Sequence, residues 1–360
     1  MATTDYPVNH PLAVKLWSRK LAIEALKSTS WAQFAGESEN SLIQVFDDTA
    51  KGPGDRITVG LRVQLTGRGR TEGQGLEGNE EALVTYSDNL FINELRHAVR
   101  VKMGIDKQRV TFKAREQARM GLEDWYRDRL DTWFFNTLTG ATDQTDTIYT
   151  GFNAATAPTS ASTGNANAQR IIYANNEHSS EASLSTTNTF KLSYIDSAVN
   201  LAKITSPVIR PVRVGGNDMY VMFLHPNQVR AMRTDTNTGQ WADIQKAALM
   251  GGEIEDNPIF TGALGVYNNV ILFENTRVPL APSRTNVRRA VLCGAQSVAM
   301  AWGQDTMDEP KWIEKRFDYD NEHGTSLQII GGMKKLVYNG ADFGSIVVST
   351  YSTAPFGTGG

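Results

Sequence analysis

The sequence is short of cysteine, of charge imbalance and of long apolar runs. One cysteine, Cys293, stands in "AVLCGAQSVAMAW", so no internal disulfide can form, and its apolar setting predicts a buried thiol and a reducing folding compartment. The 36 basic and 39 acidic residues leave a formal charge of -3, too small a field to draw the whole chain to nucleic acid or an anionic membrane. No apolar run approaches membrane-spanning length. The opening "MATTDYPVNHPLAVKLWSRKLAIEALK" lacks the charged start, apolar segment and cleavage site of a secretory signal, which makes cytoplasmic folding the expectation.

Catalytic motifs are missing as well. There is no G-x-S-x-G elbow, no P-loop and no H-E-x-x-H run, and Cys293 has no histidine near it in sequence to activate a thiolate. His10, His97, His178, His225 and His323 show no spacing that places two on one helical face for a metal. Residues 73–78, "GQGLEG", carry the glycine spacing of a dinucleotide loop. Such a loop needs a helix N-terminus directly after it to present amides to the pyrophosphate, and here a strand-like run follows. Glu72, Glu77, Glu80 and Glu81 would also repel a phosphate there. "FDYDNEHG", residues 317–324, opens like a calcium loop with Asp318, Asp320 and Glu322. Its glycine falls one position late, and Ile329 stands where a bidentate Glu is needed, so a solvated turn is expected. The expectation is therefore no catalytic residue, no cofactor and no metal; an enzyme using scattered carboxylates would need a deep pocket with paired acids.

What is present is long-range patterning. Leu12, Leu16, Ile23 and Leu26 behind Pro11 make a short amphipathic arm. From Arg56 the chain alternates, with Ile57, Val59, Leu61, Val63 and Leu65 on one side, and Val84, Tyr86, Leu90 and Ile92 restore the period after a glycine-rich tip. Residues 56–93 thus read as one long hairpin, which must lie on something because an isolated two-stranded ribbon is marginal in water. Leu122, Tyr126, Leu130, Trp133, Phe134 and Leu138 form a helical stripe between Val110 and Leu138, about 43 Å long at the usual helical rise. Glu123, Arg127 and Asp131 would pair at i,i+4 on its wet side.

Residues 141–189 are rich in Thr, Ser, Asn and Ala and read as a long surface insertion. A second compact unit follows, with a helix through Leu192, Ile195, Val199 and Leu201, a strand "MYVMFLHP", a helix begun by Pro226, a helix "GQWADIQKAALM" and a strand "VYNNVILFEN". Four strand-rich stretches close the chain, "RAVLCGAQSVAMAW", "KWIEKRFDYD", "SLQIIGGMKKLVYN" and "FGSIVVSTY", and the long helix is the surface they are expected to cover. On the hairpin the charges are ordered: Arg56, Arg62, Arg68 and Arg70 fill the first half, and Glu72, Glu77, Glu80, Glu81 and Asp88 the second. This is either an ordinary solvated loop or a projecting hairpin that docks on complementary neighbours.

"GDRITVGLRVQLTGRG" with "GLEGNEEAL", "MGLEDWYRDRLDTWFFNTLTG", "FLHPNQVRAMRTD" and "NPIFTGALGVYNNVILFEN", in this order and spacing, resemble the major capsid proteins of tailed bacteriophages, of HK97-like α+β fold, and within them the family of the coliphage N-four head protein. The resemblance covers most of the chain. It implies an N-terminal arm (1–50), an extended loop (51–100), a peripheral domain with a spine helix (101–140 and 301–352), the insertion (141–189) and an α/β axial domain (190–300), with the final strands returning to the peripheral domain. It implies a virion shell of pentamers and hexamers around packaged DNA, assembled in the bacterial cytoplasm. Self-association would run through the extended loop, by Arg56, Arg62, Arg68, Arg70, Glu72, Glu77, Glu80 and Glu81. A portal and a separate scaffolding protein are implied partners, because the arm leads almost at once into the hairpin, and a decoration protein is a further candidate. Neither membrane binding nor sequence-specific nucleic-acid binding is implied, and the near-neutral charge fits an inner wall that releases DNA readily. The competing reading is another virion component, a tail or surface protein. Some relatives weld their shells through a lysine of this loop, but residues 52–101 contain no lysine, so no such crosslink is expected.

Overall fold

Large apolar residues recurring every fourth position build the longest element. Leu122, Tyr126, Leu130, Phe134 and Leu138 are fully buried along one stripe of helix α1 (Ala114–Thr139), as the periodicity predicts. The helix ends at Gly140, whose φ of 66° suits a residue without a side chain. The Ala141 N–H donates back to the Asn136 carbonyl at 3.0 Å, a Schellman closure. A side chain at 140 would meet the Thr156 carbonyl at 2.3 Å, so the position needs glycine twice over.

The computed structural model describes residues 31–46, 54–63, 65, 67–102, 114–146, 150–160, 169–174, 180–214, 216–235, 265–282, 284–303, 311–319 and 321–352. The expected amphipathic arm at Pro11–Leu26 and the helix expected over 239–250 lie outside these residues. The chain supplies β1 (Ala35–Gly36), β2 (Ile43–Phe46), β3 (Arg56–Arg62), β4 (Thr85–Phe91) and β5 (Asn93–Lys102) before α1. Then come β6 (Ile171–Tyr173), α2 (Leu192–Ile204), β7 (Val212–Val214), β8 (Asn217–Leu224), α3 (Pro226–Thr234), β9 (Val266–Tyr267) and β10 (Val270–Glu274). It closes with β11 (Val287–Cys293), β12 (Val298–Trp302), β13 (Lys311–Phe317), β14 (Glu322–Lys335), β15 (Val337–Tyr338), β16 (Ala341–Asp342) and β17 (Ser345–Tyr351).

Two sheets share α1. One has six strands in the order β1-β2-β12-β14-β13, with β5 also paired to β14; the other has seven, β6-β17-β11-β8-β10-β9, with β7 added to β8. Tyr126, Trp133 and Phe134 of α1 pack with Trp312, Leu327, Ile329 and Met333 of the first sheet and with Val221, Phe223, Val291 and Val347 of the second. The opposite face of the second sheet is covered by α2 and α3, where Ile195, Val199 and Met232 meet Tyr220, Met222, Leu224, Leu292 and Val348. β8 is therefore a central strand buried on both faces, which explains its unbroken apolar run. At a few kcal/mol for each large apolar side chain taken from water, these two clusters hold the fold together.

Four expectations need correction. "VYNNVILFEN" is not one strand: Asn268 and Asn269 adopt φ of 46° and 59°, folding β9 back antiparallel on β10, because Asn tolerates the left-handed region that a tight hairpin requires. Asp131 does not sit on the wet side of α1. It is buried, and its Oδ2 accepts from Arg277 Nη1 at 2.9 Å. The last strand does not return to the sheet of β13 and β14; β17 pairs antiparallel with β11 and parallel with β6 in the seven-stranded sheet. Ser345 to Thr350 are all buried, as a strand covered on both sides requires.

The stretch 141–189 is also more than a surface insertion, since it contributes β6 and several buried polar anchors. The buried Arg170 guanidinium donates from Nε to the Asp342 carbonyl at 2.8 Å and from its terminal nitrogens to Thr205 Oγ1 and the Pro207 carbonyl. Burial lowers its pKa to about 10, so it stays charged at neutral pH. A segment poor in apolar residues is thus fastened by hydrogen bonds, which composition does not reveal. The part of the expected N-terminal arm that is described is likewise embedded: Trp31 is buried and stacks on Phe134 at 5.8 Å, and β2 pairs in parallel with β12.

Candidate assembly surface

Hairpin β3–β4 begins as an ordinary ladder. Arg56 to Arg62 pair antiparallel with Phe91 to Thr85, and the Val63 N–H extends the ladder to the Val84 carbonyl at 3.0 Å. Its root is pinned within the chain. Ile57, Val59 and Leu90 are buried against Ala299, Ala301, Leu336, Tyr338 and Phe343. Asn153 clamps Phe91 at both backbone groups, accepting from its N–H at 2.9 Å and donating to its carbonyl at 2.7 Å. Gly332 passes so close beneath that a Cβ there would lie 2.1 Å from the Phe91 carbonyl. The hairpin therefore does have an intramolecular partner, but only at its root.

Beyond Val63 every described residue from Leu65 to Thr85 is exposed. The tip is two short turns: Gln74 donates to the Thr71 carbonyl at 3.1 Å and Asn79 to the Leu76 carbonyl at 2.9 Å, with Gly73 and Gly78 at φ of 84° and 83°. No helix follows the glycines, so the dinucleotide reading of "GQGLEG" is excluded by local geometry.

The eight predicted contact residues divide by position. Arg56 lies at the root, its guanidinium over the Phe91 ring at 5.5 Å. Arg62 is exposed at the end of β3. Arg68, Arg70, Glu72, Glu77, Glu80 and Glu81 are all exposed on the tip. Arg70 donates to Asn79 Oδ1. The Glu80 carboxylate accepts from the Gly78 N–H at 2.8 Å and that of Glu81 from the Gly67 N–H at 2.6 Å, so both brace the turns that present them. Asp88, read with the acidic half, belongs instead to the root: Lys334 Nζ donates to its Oδ1 and the Val337 N–H to its Oδ2 at 3.0 Å.

Sequence reasoning missed the apolar part of the tip. Leu65, Leu76, Leu83 and Val84 are 56%, 68%, 58% and 46% exposed. Four large aliphatic groups on one uncovered projection are unusual for a surface that meets only water. The signal was legible as aliphatic residues inside a glycine-rich and charged run, where no core could reach them.

Two concavities elsewhere are lined mostly by polar and charged residues. One of about 610 Å³ is lined by Thr187, Lys191, Arg230 and Tyr351, another of about 700 Å³ by Glu39, Arg210, Arg213 and Asp218. Among the described residues no group of three or more His, Cys, Asp or Glu is placed to hold a metal. Of the histidines, His97 stacks on Trp125 at 4.3 Å, His225 caps α3, and His323 lies 3.5 Å from Glu314. Cys293 is fully buried, and burial pushes its thiol far above the usual range, which disfavours the nucleophilic thiolate.

A projecting hairpin on a two-sheet body built around one long helix is a recognisable arrangement. The family model described as phage capsid protein matches residues 5–354. The chain belongs to the phage capsid protein family. The capsid chain is 28% identical over 372 residues to the major capsid protein of Pseudomonas phage KPP25, covering 94% of each. The solved capsid of Ralstonia phage GP4 superposes with a TM-score of 0.76 at 31% identity, covering 98% of this chain and 99% of that one. The cyanophage Pam1 capsid asymmetric unit gives a TM-score of 0.74 at 19% identity, covering 91% and 93%, a likeness of fold alone. The mixed α+β architecture is thus the HK97-like capsid fold. The narrower tie to the coliphage N-four head protein stays an expectation of the sequence.

Proposed function

We propose that many copies of this major capsid protein close into the icosahedral head shell of a tailed phage, as pentamers and hexamers around packaged DNA, and that the hairpin tip is the arm by which each copy grips its neighbour. The observation that carries this reading is the contrast along one hairpin. Its root is locked by Asn153, Asp88 and a buried apolar cluster, while the described residues from Leu65 to Thr85 expose charge and four aliphatic side chains. A rigid root supporting an uncovered tip is what a contact between copies requires: the root fixes direction at little entropic cost, and the tip supplies the area to be buried. Arg62, Arg68, Arg70, Glu72, Glu77, Glu80 and Glu81 would make the polar contacts, and Leu65, Leu76, Leu83 and Val84 the apolar ones. Arg56 and Asp88 support from below.

The six-stranded sheet with α1 corresponds in this reading to the peripheral domain. The seven-stranded sheet with α2 and α3 is the axial domain, to which β6 from the stretch 141–189 and the closing β17 both contribute. The role is structural, without chemistry of its own. Assembly in the host cytoplasm with a separate scaffolding protein and a portal is part of the proposal, and a decoration protein is a candidate further partner. Electron microscopy of the expressed chain, alone and with the scaffolding candidate from the same genome, tests it. Closed shells, tubes or capsomer rings are expected; a dispersed monomer under both conditions would sink it. Replacing residues 64–83 by an Asn-Gly turn is expected to leave a folded monomer that no longer assembles.

A further inference from the structure

The concavity of about 610 Å³ opens where three segments around the seven-stranded sheet meet: the turn 186–191 that leads into α2, one side of α3, and the end of β17. Hydrogen bonds within the chain fix its walls. Gln228 of α3 donates from Nε2 to Thr350 Oγ1 at 2.8 Å, and the Tyr351 N–H donates to the Asn188 carbonyl at 2.9 Å. The Asn188 side chain accepts in turn from the Ser185 N–H at 2.9 Å and closes the turn. A space held open in this way gives up little freedom when a ligand fills it.

Ser352 at its edge lacks a partner. Side chains alternate along β17, so Ile346, Val348 and Thr350 lie on the face covered by α2 and α3, and Ser352 follows on that same face, where it lines the concavity. Its N–H donates to the Asn286 carbonyl at 2.8 Å. Its hydroxyl, in a residue only 7% exposed, has no hydrogen-bond partner. A buried hydroxyl left single is costly. One that borders an open space is satisfied by what enters it.

The lining says what that is. Lys191 comes from the turn and Arg230 from α3, so two cations reach the space from different walls, and Thr187 and Thr189 add hydroxyls. Lys191 is also the N-terminal residue of the cap of α2, a helix with no side-chain cap and no acidic residue in its first turn, which brings the positive end of the helix dipole to this rim. Asp235, at the C-terminal end of α3, is the one carboxylate among the described lining residues and disfavours a second anionic group. Two cations with several hydroxyl donors suit a tetrahedral oxyanion, which offers more acceptor positions than a carboxylate. The volume lies within the range of small-molecule sites, about 300–1,000 Å³, and leaves room for an organic group beside Tyr351. We propose that this concavity binds a small phosphate ester of nucleotide size, with Lys191 and Arg230 on the phosphate and the Ser352 hydroxyl donating to it. The ligand bridges the entry to α2, the side of α3 and the end of β17, and so fastens the two helices to the sheet. This is a binding function beyond the shell role and independent of it.

Thermal unfolding of the full chain with inorganic phosphate, with adenosine monophosphate and with a short DNA duplex, each against sodium chloride of equal ionic strength, tests this. Phosphate is expected to raise the midpoint, and adenosine monophosphate to do so at lower concentration. Lys191→Gln with Arg230→Gln should fold like the parent by circular dichroism and need about tenfold more ligand for the same shift. Ser352→Ala separates a ligand contact from a structural one. Without ligand it is expected to melt no lower than the parent, because an unpartnered hydroxyl has gone, yet to gain less from adenosine monophosphate. A Ser352→Ala chain that melts lower and keeps the full gain would make the hydroxyl structural and overturn its role. No shift beyond the chloride control, or equal protection of the parent and the Lys191 and Arg230 double variant, would reduce the effect to that of any salt and overturn the site. Protection by the duplex at a lower phosphate concentration than by adenosine monophosphate would assign the phosphate to a nucleic-acid backbone and overturn the small-molecule ligand.

Discussion

Arg289 holds Glu181 in a buried two-point pair, Nε to Oε1 at 2.7 Å and Nη2 to Oε2 at 3.0 Å. The remaining nitrogen, Nη1, donates to the carbonyls of Thr139 at 3.0 Å and Gly140 at 2.6 Å, the open C-terminal end of α1. A cation there complements the helix dipole and satisfies carbonyls that the helix leaves unpaired. Ser349 of β17 donates to the same Glu181 oxygen at 2.7 Å. One ion pair thus ties α1, the stretch 141–189 and the seven-stranded sheet together. Arg289→Met leaves Glu181 buried with a hydroxyl as its remaining side-chain partner and is expected to cost about 3–5 kcal/mol in denaturant unfolding. Adding Glu181→Leu should recover much of that, because the buried charge goes with its partner; equal stability of parent and single variant would refute the account.

The hairpin root makes a second prediction. Asp88 accepts from Lys334 and from the Val337 N–H, so Asp88→Ala leaves the Lys334 ammonium with the Asn89 carbonyl at 2.9 Å but no counter-charge there, and strands a backbone donor. The expected loss is about 1–3 kcal/mol, together with faster proteolysis within residues 63–84, whose direction the root sets. Unchanged melting and cleavage would mean that the apolar cluster alone fixes the hairpin.

Where the fold was legible from the sequence, local periodicity carried it. The α1 stripe, the alternation of β3 and Pro226 at the start of α3 needed no knowledge of distant residues. The misses share a physical cause: a polar group was read by its chemistry when its partner was far away in the chain. Asp131 looked wet, but Arg277 was waiting; Asp88 looked like part of a charged tip, but Lys334 claims it. Residues 141–189 looked like a loop, because an Arg170 satisfied by carbonyls leaves no apolar trace. Sheet membership of β17 depends on pairings with β11 and β6, which no local pattern encodes. The exposure of the charged residues of the tip was legible for the opposite reason: none of them needs a distant partner in the chain to be placed, and all are exposed.

Acid should loosen α3 through its cap. The His225 imidazole Nδ1 accepts from the Asn227 N–H at 3.2 Å while Gln228 Oε1 accepts from the His225 N–H at 3.0 Å. Burial, with the Arg288 charge in second place, pulls the imidazole from its usual 6.5 down to about 4. The neutral form is the one the fold wants, and the unfolded chain binds the proton more readily. The contribution is therefore complete above the unfolded value of 6.5 and is lost as pH falls towards 4. About 2 kcal/mol is expected from this group. His225→Asn keeps a capping acceptor that does not titrate. The difference in unfolding free energy between parent and variant should therefore change across that window and be flat above it; parallel pH profiles would contradict the assignment.

Finally, the contact made by the hairpin should stay non-covalent. A lysine-to-asparagine weld needs a neutral amine to attack the amide carbonyl and expel ammonia, and residues 52–101 offer no lysine. The cations of the tip are Arg68 and Arg70, whose guanidinium stays protonated and delocalised and does not serve as that nucleophile. Assembled particles boiled in detergent are expected to run as a single band near the 39.6 kDa of the monomer, however long they have matured. A ladder of dimers and higher multimers, with a linked peptide from residues 52–101 found by mass spectrometry, would show that the loop is chemically competent after all. Without such a weld, stability must come from the reversible contacts alone, so shells of this protein should fall apart in high salt or mild denaturant before the individual chain unfolds.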